Sequence, residues 1–254
     1  MTEAPRRRPG PNRRFKSMIK RCIPSSLALP ILAGNLKGLR WIVKSSDFSC
    51  FLGSYETHVQ RAIVEYVGPG AVAYDIGANV GFHTLLCAKA VGAKGKVFAF
   101  EPFPRNQNIL KRHLQLNGIG NVTVVEAAVS DRRGSAWFTS PVDNHGSMGH
   151  LSEHESADTI SIESIALDGT DYPLPDFIKM DVEGAELLAL RGMHAILSRS
   201  KPVLVIERTP SSWVEVEDLL TQSGYRSRPL HGDTRSHAGD WLSINGSTAE
   251  WGNY

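Results

Sequence analysis

The sequence V-A-Y-D-I-G-A-N-V-G-F-H-T-L-L, residues 72–86, decides the fold. It begins with an apolar run that ends in an acid, Asp75, continues through two glycines, and becomes amphipathic after Gly81. This order is typical of a β-strand, a tight turn and the start of an α-helix. Such a junction gathers backbone N–H groups and a carboxylate at one point, and α/β proteins bind ligands there.

Strand-like and helix-like segments alternate on both sides of this junction. Apolar strand patterns after it cover residues 96–100, 121–127, 176–180 and 201–207. The alternation predicts a doubly wound α/β fold with a mostly parallel sheet and helices on both faces. Sheets of this kind bind ligands beyond the carboxyl ends of their strands. Four acids end predicted strands at that edge: Asp75, Glu101, Asp181 and Glu207.

Length and composition fit one large domain. The chain has 254 residues, of which 41% are apolar, so a sizeable core can form. We predict a basic, flexible leader at residues 1–37 and a single domain at residues 38–254. Within that domain we distinguish an N-terminal cover at residues 38–70 and a core at residues 71–254. A polar stretch at residues 140–158 predicts a long surface loop.

Charge is distributed unevenly along the chain. Residues 1–44 carry 11 Lys or Arg and one acid, whereas the rest of the chain carries 17 Lys or Arg and 25 acids. An acidic body is a poor surface for nucleic acid, so we expect no nucleic-acid partner. Weak contact between the basic leader and an anionic membrane surface is one hypothesis, and a solvated tail is the other.

The cysteine content points to a reducing compartment. Cys22, Cys50 and Cys87 are odd in number and far apart, which argues against a disulfide framework. We therefore predict a cytoplasmic protein, peripheral to a membrane if the leader makes that contact. The apolar part of the leader is short and interrupted by Pro24 and Pro30, so it is not predicted to span a membrane. The sequence predicts no particular oligomeric state.

The spacing of the glycines limits which nucleotide can bind. A nicotinamide dinucleotide site requires G-x-G-x-x-G, but Asn79 and Phe82 stand where the second and third glycines belong. An acid at Asp75 would repel a pyrophosphate and suits a ligand with hydroxyl or positive groups. Glu101 ends the next predicted strand, where an acid accepts both hydroxyls of a ribose. A ribose with an amino-acid tail describes S-adenosylmethionine, and a nicotinamide-dependent oxidoreductase stays as the alternative.

Five ordered motifs resemble the FkbM-type family of S-adenosylmethionine-dependent methyltransferases, over roughly residues 38–210. The motifs are L-G-S-Y-E (52–56), D-I-G-A-N-V-G-F-H-T-L (75–85), A-F-E-P-F-P (99–104), L-N-G-I-G-N-V-T-V-V-E-A-A-V-S-D (116–131) and I-K-M-D-V-E-G-A-E (178–186). The resemblance implies a class I methyltransferase sheet of seven strands, the last antiparallel. It also implies methylation of a hydroxyl group on a sugar, glycolipid or secondary metabolite, that is, a small-molecule or glycan acceptor.

The resemblance carries roles over to individual residues. The methionine part of the cofactor would lie against Asp75, Gly77, Asn79 and Gly81, and Glu101 would hold the ribose. Ala128 would contact the adenine, with Ser130 or Asp131 near its amino group. Tyr55 and Glu56 would cover the cofactor from the N-terminal side, and Asp181 would border it at the reaction end.

An alcohol acceptor needs a base to take its proton, and acids at the sheet edge are the candidates. Asp181 is our first choice, followed by Glu183 and by Glu207, which ends the next strand. We predict a site without metal, although two carboxylates at adjacent strand ends could instead hold Mg²⁺. A third hypothesis is a protein that binds S-adenosylmethionine without catalysis. The acceptor-selecting regions are expected to be residues 140–158 and the segment after Pro210.

Overall fold

The computed structural model describes residues 24–139, 151–152, 159–209, 213–231 and 239–246. Within these residues the strands are β1 (Ala28–Pro30), β2 (Arg40–Ile42), β3 (Val72–Ile76), β4 (Lys96–Phe100), β5 (Val122–Val125), β6 (Ala128–Val129), β7 (Gly134–Thr139), β8 (Leu151–Ser152), β9 (Thr159–Ile165), β10 (Phe177–Met180), β11 (Val203–Arg208), β12 (Tyr225–Pro229) and β13 (Gly239–Asn245). The helices are α1 (Phe48–Leu52), α2 (Thr57–Tyr66), α3 (Phe82–Val91), α4 (Pro104–Leu116), α5 (Glu186–Arg191), α6 (His194–Arg199) and α7 (Trp213–Gln222).

Seven strands form the central sheet, in the order β12-β13-β11-β10-β3-β4-β5. Strands β5, β4, β3, β10 and β11 run parallel to one another, and β13 runs antiparallel to both β11 and β12. The predicted doubly wound sheet of seven strands with the last one antiparallel is therefore confirmed. Because the parallel strands end at one edge, the four predicted acids lie along the same side of the sheet.

Apolar side chains cover both faces of this sheet, as expected for strands buried on two sides. On one face, residues such as Ala73 and Val205 pack against α2, α3 and α4. On the other, residues such as Tyr74 and Leu204 pack against α5, α6 and α7. Each strand contributes to both layers because successive side chains point to opposite faces. The two layers fix where the strands end, and so where the acids sit.

The N-terminal part of the described chain packs onto the domain earlier than predicted. Strand β1 pairs antiparallel with β2, and Ile31 and Leu36 are buried in the same core as α2 and α3. The predicted leader boundary at residue 37 is therefore wrong for residues 28–36, because their apolar side chains have a packing partner. Residues 1–23, including Cys22, lie outside the described residues.

The sequence patterns predict a helix across residues 184–197 and an edge strand at residues 160–167, and the structure differs from both. The predicted helix across residues 184–197 is interrupted near Gly192, where a Cβ atom would lie 1.8 Å from the Ser130 carbonyl oxygen. The strand at residues 159–165, predicted at an edge, lies between β6 and β7 in a second sheet of order β6-β9-β7-β8.

Most of the polar stretch at residues 140–158 lies outside the described residues. Among those described, no helix is both long and apolar enough to cross a membrane.

Candidate active site

The turn after β3 brings the backbone of two strands into close contact. Gly77 adopts a φ of 79°, and its N–H donates to the Phe100 carbonyl oxygen at 3.0 Å. A Cβ atom on Gly77 would lie 1.8 Å from the carbonyl oxygen of Asp181. Only glycine fits here, because a side chain would meet both an unfavourable φ and the backbone of the strand beside it.

A cavity of about 350 Å³ opens beyond this turn, at the carboxyl edge of the sheet. Nine of the residues that the sequence singled out line it: Tyr55, Glu56, Gly77, Asn79, Glu101, Ala128, Asp181, Glu183 and Glu207. They come from the N-terminal cover, from the turn after β3 and from the ends of β4, β10 and β11. Residues more than 150 positions apart in the sequence are thus brought to one pocket.

Asp75 differs from the prediction because its carboxylate does not line the cavity. The residue is fully buried, accepts a hydrogen bond from Thr84 Oγ1 at 2.5 Å, and lies 3.9 Å from Lys179 Nζ. Burial raises the pKa of its carboxyl, and the nearby Lys179 ammonium opposes this. Asp75 therefore contacts Lys179 and lies behind the cavity wall.

Gly81 and Asp131 also lie outside the cavity lining. Gly81 has a φ of 94° and precedes α3, and a Cβ atom there would lie 2.2 Å from Leu110 Cδ1. Its role is the close packing of the start of α3 against α4. Asp131 accepts a hydrogen bond from Ser130 Oγ at 3.3 Å and pairs with Arg132 at 3.9 Å, so local partners engage its carboxylate.

Glu101 is held in place at one end of the cavity by backbone donors. Its Oε2 accepts from the Asn79 N–H at 2.7 Å, and its Oε1 accepts from the Phe103 N–H at 2.9 Å. Asn106 Nδ2 donates a third, longer hydrogen bond to Oε1 at 3.4 Å. Oε2 therefore keeps an acceptor position for one ribose hydroxyl, and a second hydroxyl can take the place of the long Asn106 bond. Burial raises the pKa of Glu101 to about 7, and the hydrogen bonds from Phe103 and Asn79 oppose that effect.

We expect the affinity for S-adenosylmethionine to fall as the pH falls through about 7, the pKa of Glu101. The ionised carboxylate accepts hydroxyl donors, and the protonated form loses acceptor capacity, so ligand binding favours the ionised form. Below that pKa the dissociation constant should rise roughly tenfold per pH unit. Calorimetric titration between about pH 6 and 8 measures this. An affinity that is constant over that range would contradict it.

The wall beside Glu101 is apolar and aromatic. Phe103 and Phe138 stack with their ring centroids 5.8 Å apart, and both line the cavity near Ala128. A planar base is well suited to such a surface, because aromatic and aliphatic side chains offer contact area without a competing polar group. The sequence analysis did not identify these two phenylalanines. Phe103 follows the strand-end acid by two residues, and that spacing was the available signal.

The opposite end of the cavity is acidic. Carboxylate oxygens of Asp181, Glu183 and Glu207 lie within 4.8 Å of one another. A hydrogen bond with Asp181 is the main cause of the raised pKa of Glu207, followed by burial. For Asp181, burial raises the pKa, but the Lys179 ammonium and the hydrogen bond with Glu207 outweigh it and hold the pKa low. Two carboxyls this close favour one proton shared between Asp181 and Glu207 over two full charges.

Lys179 is the functional residue that the sequence analysis missed. It lies in β10, is 4% exposed, and its Nζ is 3.1 Å from Asp181 Oδ2 and 3.9 Å from Asp75 Oδ1. Burial would lower its pKa, but the carboxylates of Asp181 and Asp75 reverse this and raise it above the ordinary value. The available signal was a lysine in an otherwise apolar strand, F-I-K-M, because buried lysines are rare unless paired.

Backbone strain is concentrated around the cavity. Glu56, Asn79 and Glu183 line it and have positive φ values of 40°, 49° and 51°. Among the described residues, only one other non-glycine residue, Lys201, has a positive φ. Each such conformation costs about 1–3 kcal/mol and persists only where the surrounding structure imposes it. The pocket is therefore held in a fixed shape by residues at its wall.

The N-terminal cover is anchored to α3 beside the cavity. The Tyr55 ring packs edge-on against Phe82, with centroids 5.6 Å apart. Glu56 Oε2 lies 3.6 Å from His83 Nε2. Burial, followed by the nearby Lys179 charge, lowers the pKa of His83 to about 3, so its imidazole is neutral at physiological pH. The ring contact with Phe82 therefore holds Tyr55 over the cavity, whereas Glu56 lies close to a neutral imidazole whose Nε2 forms no hydrogen bond with the described residues.

The acidic end also bears on the Mg²⁺ alternative. The structure brings three carboxylates together, but the Lys179 ammonium already lies against Asp181 and supplies positive charge there. A site without metal stays our prediction. We expect methyl transfer to be unchanged by excess EDTA, measured as S-adenosylhomocysteine formation. A loss of activity that added Mg²⁺ restores would contradict this.

The cavity offers groups that match the three parts of S-adenosylmethionine. A carboxylate for ribose hydroxyls stands beside an apolar wall for a base, and carboxylates for a positively charged centre stand at the far end. Together with the strand order, these features define a class I S-adenosylmethionine-dependent methyltransferase. The comparisons with known proteins identify the family. A model of the methyltransferase FkbM domain matches residues 75–227, and the chain belongs to that family.

Individual relatives agree with the family and the fold. The chain is 32% identical over 170 residues to hexuronic acid methyltransferase AglP of Haloferax volcanii, a match that covers 66% of this chain and 69% of that protein. Among solved structures it resembles a putative rRNA methylase of Clostridium thermocellum, with a TM-score of 0.51 and 12% identity over 74% of this chain and 92% of the other. It also resembles the precorrin-6y C5,15-methyltransferase of Geobacter metallireducens, with a TM-score of 0.50 and 17% identity over 74% and 88%.

Membership in this family confirms S-adenosylmethionine as the cofactor and methyl transfer as the activity. The alternative of a nicotinamide-dependent oxidoreductase is wrong. The structural likenesses, at under 20% identity, support the fold alone.

Proposed function

We propose that the protein transfers the methyl group of S-adenosylmethionine to a hydroxyl oxygen of a sugar, glycolipid or secondary metabolite, with a sugar favoured. The observation that carries this is the carboxylate cluster of Asp181, Glu183 and Glu207 at one end of the cavity. A hydroxyl acceptor requires removal of a proton, and a cluster of acids beside the cavity offers both a base and hydrogen-bond acceptors. The relative AglP is a hexuronic acid methyltransferase, and this favours a sugar-like acceptor.

Each side chain in the site has a distinct part in this proposal. Glu101 holds the ribose, and Phe103 and Ala128 hold the base. The methionine part of the donor lies against Gly77 and Asn79 in the turn after β3. When bound, S-adenosylmethionine supplies a methyl group activated by its positively charged sulfur. The protein then has to orient the acceptor hydroxyl, which can account for roughly 7–11 kcal/mol of barrier reduction, and to take its proton. Tyr55 and Glu56 limit access of water from the N-terminal side.

An acceptor screen tests the proposal. The enzyme is incubated with S-adenosylmethionine and matched sets of glycosides, polyols and phenols, and the products are examined by mass spectrometry. We expect S-adenosylhomocysteine to form together with a sugar derivative that has gained one methyl group. Binding of S-adenosylmethionine without turnover on any hydroxylated acceptor would contradict the proposal. An Asp181→Asn variant is the matched control for nonenzymatic methylation.

We further propose that the reaction takes place in the cytoplasm, with the basic part of the leader ahead of β1 contacting an anionic membrane surface. The odd number of cysteines and the basic charge of residues 1–44 support this. Sedimentation with neutral and anionic liposomes at low and high salt tests the contact. Recovery that does not depend on lipid charge would rule it out. Removal of residues 1–23, which leaves the β1–β2 pairing intact, is the matched control.

A further inference from the structure

The acidic end of the cavity has more carboxyl groups than the one buried ammonium beside it can neutralise. Lys179 Nζ lies 3.1 Å from Asp181 Oδ2, 3.9 Å from Asp75 Oδ1 and 3.4 Å from the Gly77 carbonyl oxygen. Its contacts are thus directed at two carboxylates, and Glu207 is not one of them. Within the described residues, no basic side chain forms an ion pair with Glu207.

The other charged groups near Glu207 are mostly acidic. Those that face it or share its end of the cavity are Asp181 and Glu183 after β10, Lys179 within β10, Asp240 opposite it on β13, and Glu56 and His58 at the start of α2. His58 does not compensate Glu207, because its Nε2 is bonded to Asp240 Oδ2 at 2.6 Å. Two neighbouring carboxyls that share a low-dielectric site do not both ionise readily.

We propose that Glu207 accepts the proton of the acceptor hydroxyl during methyl transfer. Lys179 gives Glu207 this role by holding Asp181 as a fixed anion. The Asp181–Glu207 pair releases its shared proton when S-adenosylmethionine binds but not when S-adenosylhomocysteine binds. This inference rests on the proposed function. In it, Glu207 is a catalytic residue and Lys179 is a positioning residue. The positive sulfur of the donor is the one charge by which the two ligands differ.

The charges and atoms balance in this step. The acceptor oxygen forms a bond to the methyl carbon, the carbon–sulfur bond breaks, and its electron pair goes to sulfur. The hydroxyl proton passes to the Glu207 carboxylate. Before the step the site holds a positive sulfur and a carboxylate, and afterwards it holds a neutral thioether and a carboxylic acid. The net charge of the cavity therefore does not change during transfer, so a buried site does not have to stabilise new charge.

Calorimetry tests the inference without an acceptor. S-Adenosylmethionine, S-adenosylhomocysteine and sinefungin, which keeps a positive amine near the sulfur position, are titrated in phosphate and in Tris at about pH 8. The dependence of the binding enthalpy on the buffer gives the number of protons released. At this pH Glu101, with a pKa of about 7, is largely ionised and contributes little. Any proton that Glu101 releases is also released with all three ligands. The difference in proton release between ligands therefore reports only the effect of the positive charge at the sulfur position.

For the wild type we expect S-adenosylmethionine and sinefungin to release about one proton more than S-adenosylhomocysteine. The Glu207→Gln variant should bind all three ligands with that difference lost. In Lys179→Met, Asp181 is no longer held as an anion, and the release should move to higher pH. Glu163→Gln, an exposed change on β9, is the matched control and should behave as the wild type.

Two results would overturn the inference: equal proton release for the charged and uncharged ligands in the wild type, or an undiminished difference in Glu207→Gln. Glu207→Gln changes only a half-buried side chain, so this variant is expected to fold, and thermal shifts on adding ligand verify that it does. The test therefore does not depend on whether Lys179→Met folds. If neither S-adenosylmethionine nor S-adenosylhomocysteine binds the wild type, the proposed function fails and the inference falls with it. If instead both ligands bind and release the same number of protons, the inference fails and the proposed function stands.

Discussion

Gly77→Ala is expected to destabilise the protein by about 3 kcal/mol or more and to abolish binding of S-adenosylmethionine. The added Cβ atom would lie 1.8 Å from the Asp181 carbonyl oxygen, at a φ of 79°. The left-handed conformation alone costs about 1 kcal/mol for alanine. The clash adds to this, because the neighbour is backbone in the central sheet and cannot rotate away. Denaturant unfolding and calorimetric titration measure the two effects.

Gly70→Ala is the matched control for this variant. Gly70 has a similar φ of 87°, but a Cβ atom there meets no atom within 4 Å. It should therefore show only the conformational cost, about 1 kcal/mol, with unchanged affinity for S-adenosylmethionine. If the two variants lose equal stability and both retain the cofactor, the close approach of β3 and β10 does not shape the site.

Glu101→Gln is expected to weaken binding of S-adenosylmethionine roughly 100-fold, which corresponds to about 2.7 kcal/mol. The amide has one oxygen, whereas the carboxylate accepts from the N–H groups of both Asn79 and Phe103. One of these donors would face an NH₂ group, and the ribose hydroxyls would lose a charged acceptor. Calorimetric titration at about pH 8, above the pKa of about 7 of Glu101, gives the change in dissociation constant.

The stability of the ligand-free protein should change much less than the affinity. Glu101 is only 4% exposed, so the substitution also removes a charge whose burial is unfavourable, and this offsets the lost hydrogen bond. Glu126→Gln, an exposed change at the end of β5, serves as the control and should leave the affinity unaltered. Wild-type affinity in Glu101→Gln would show that the ribose is not held at this end of the cavity.

Much of the fold could be predicted because its signals are local. The glycine turn after β3 and the acids at the ends of β4, β10 and β11 are readable from a few neighbouring residues. Parallel topology then brings these acids to one edge without further information. For the same reason, Glu101, Asp181 and Glu207 were expected near one another, and the structure places all three along one cavity.

The parts that sequence reasoning missed depend on contacts between distant segments. The buried charge of Lys179 is compensated in part by Asp75, which lies on the neighbouring strand about 100 residues earlier. The same pairing turns Asp75 away from the cavity, against the prediction. The interruption before α6 arises where Gly192 meets the backbone of Ser130, and helical periodicity alone does not reveal that contact. The packing of Ile31 and Leu36 likewise depends on α2 and α3.

The central claim is that this cavity transfers a methyl group from S-adenosylmethionine to an oxygen of a sugar-like acceptor. The most direct measurement is incubation of the full chain with S-adenosylmethionine bearing a ¹³C-labelled methyl group and the best acceptor from the screen, followed by NMR of the product. We predict a labelled methyl carbon attached to oxygen, in an amount equal to the S-adenosylhomocysteine formed. A labelled methyl group on nitrogen or carbon, or no labelled product with any hydroxylated acceptor, would contradict the account.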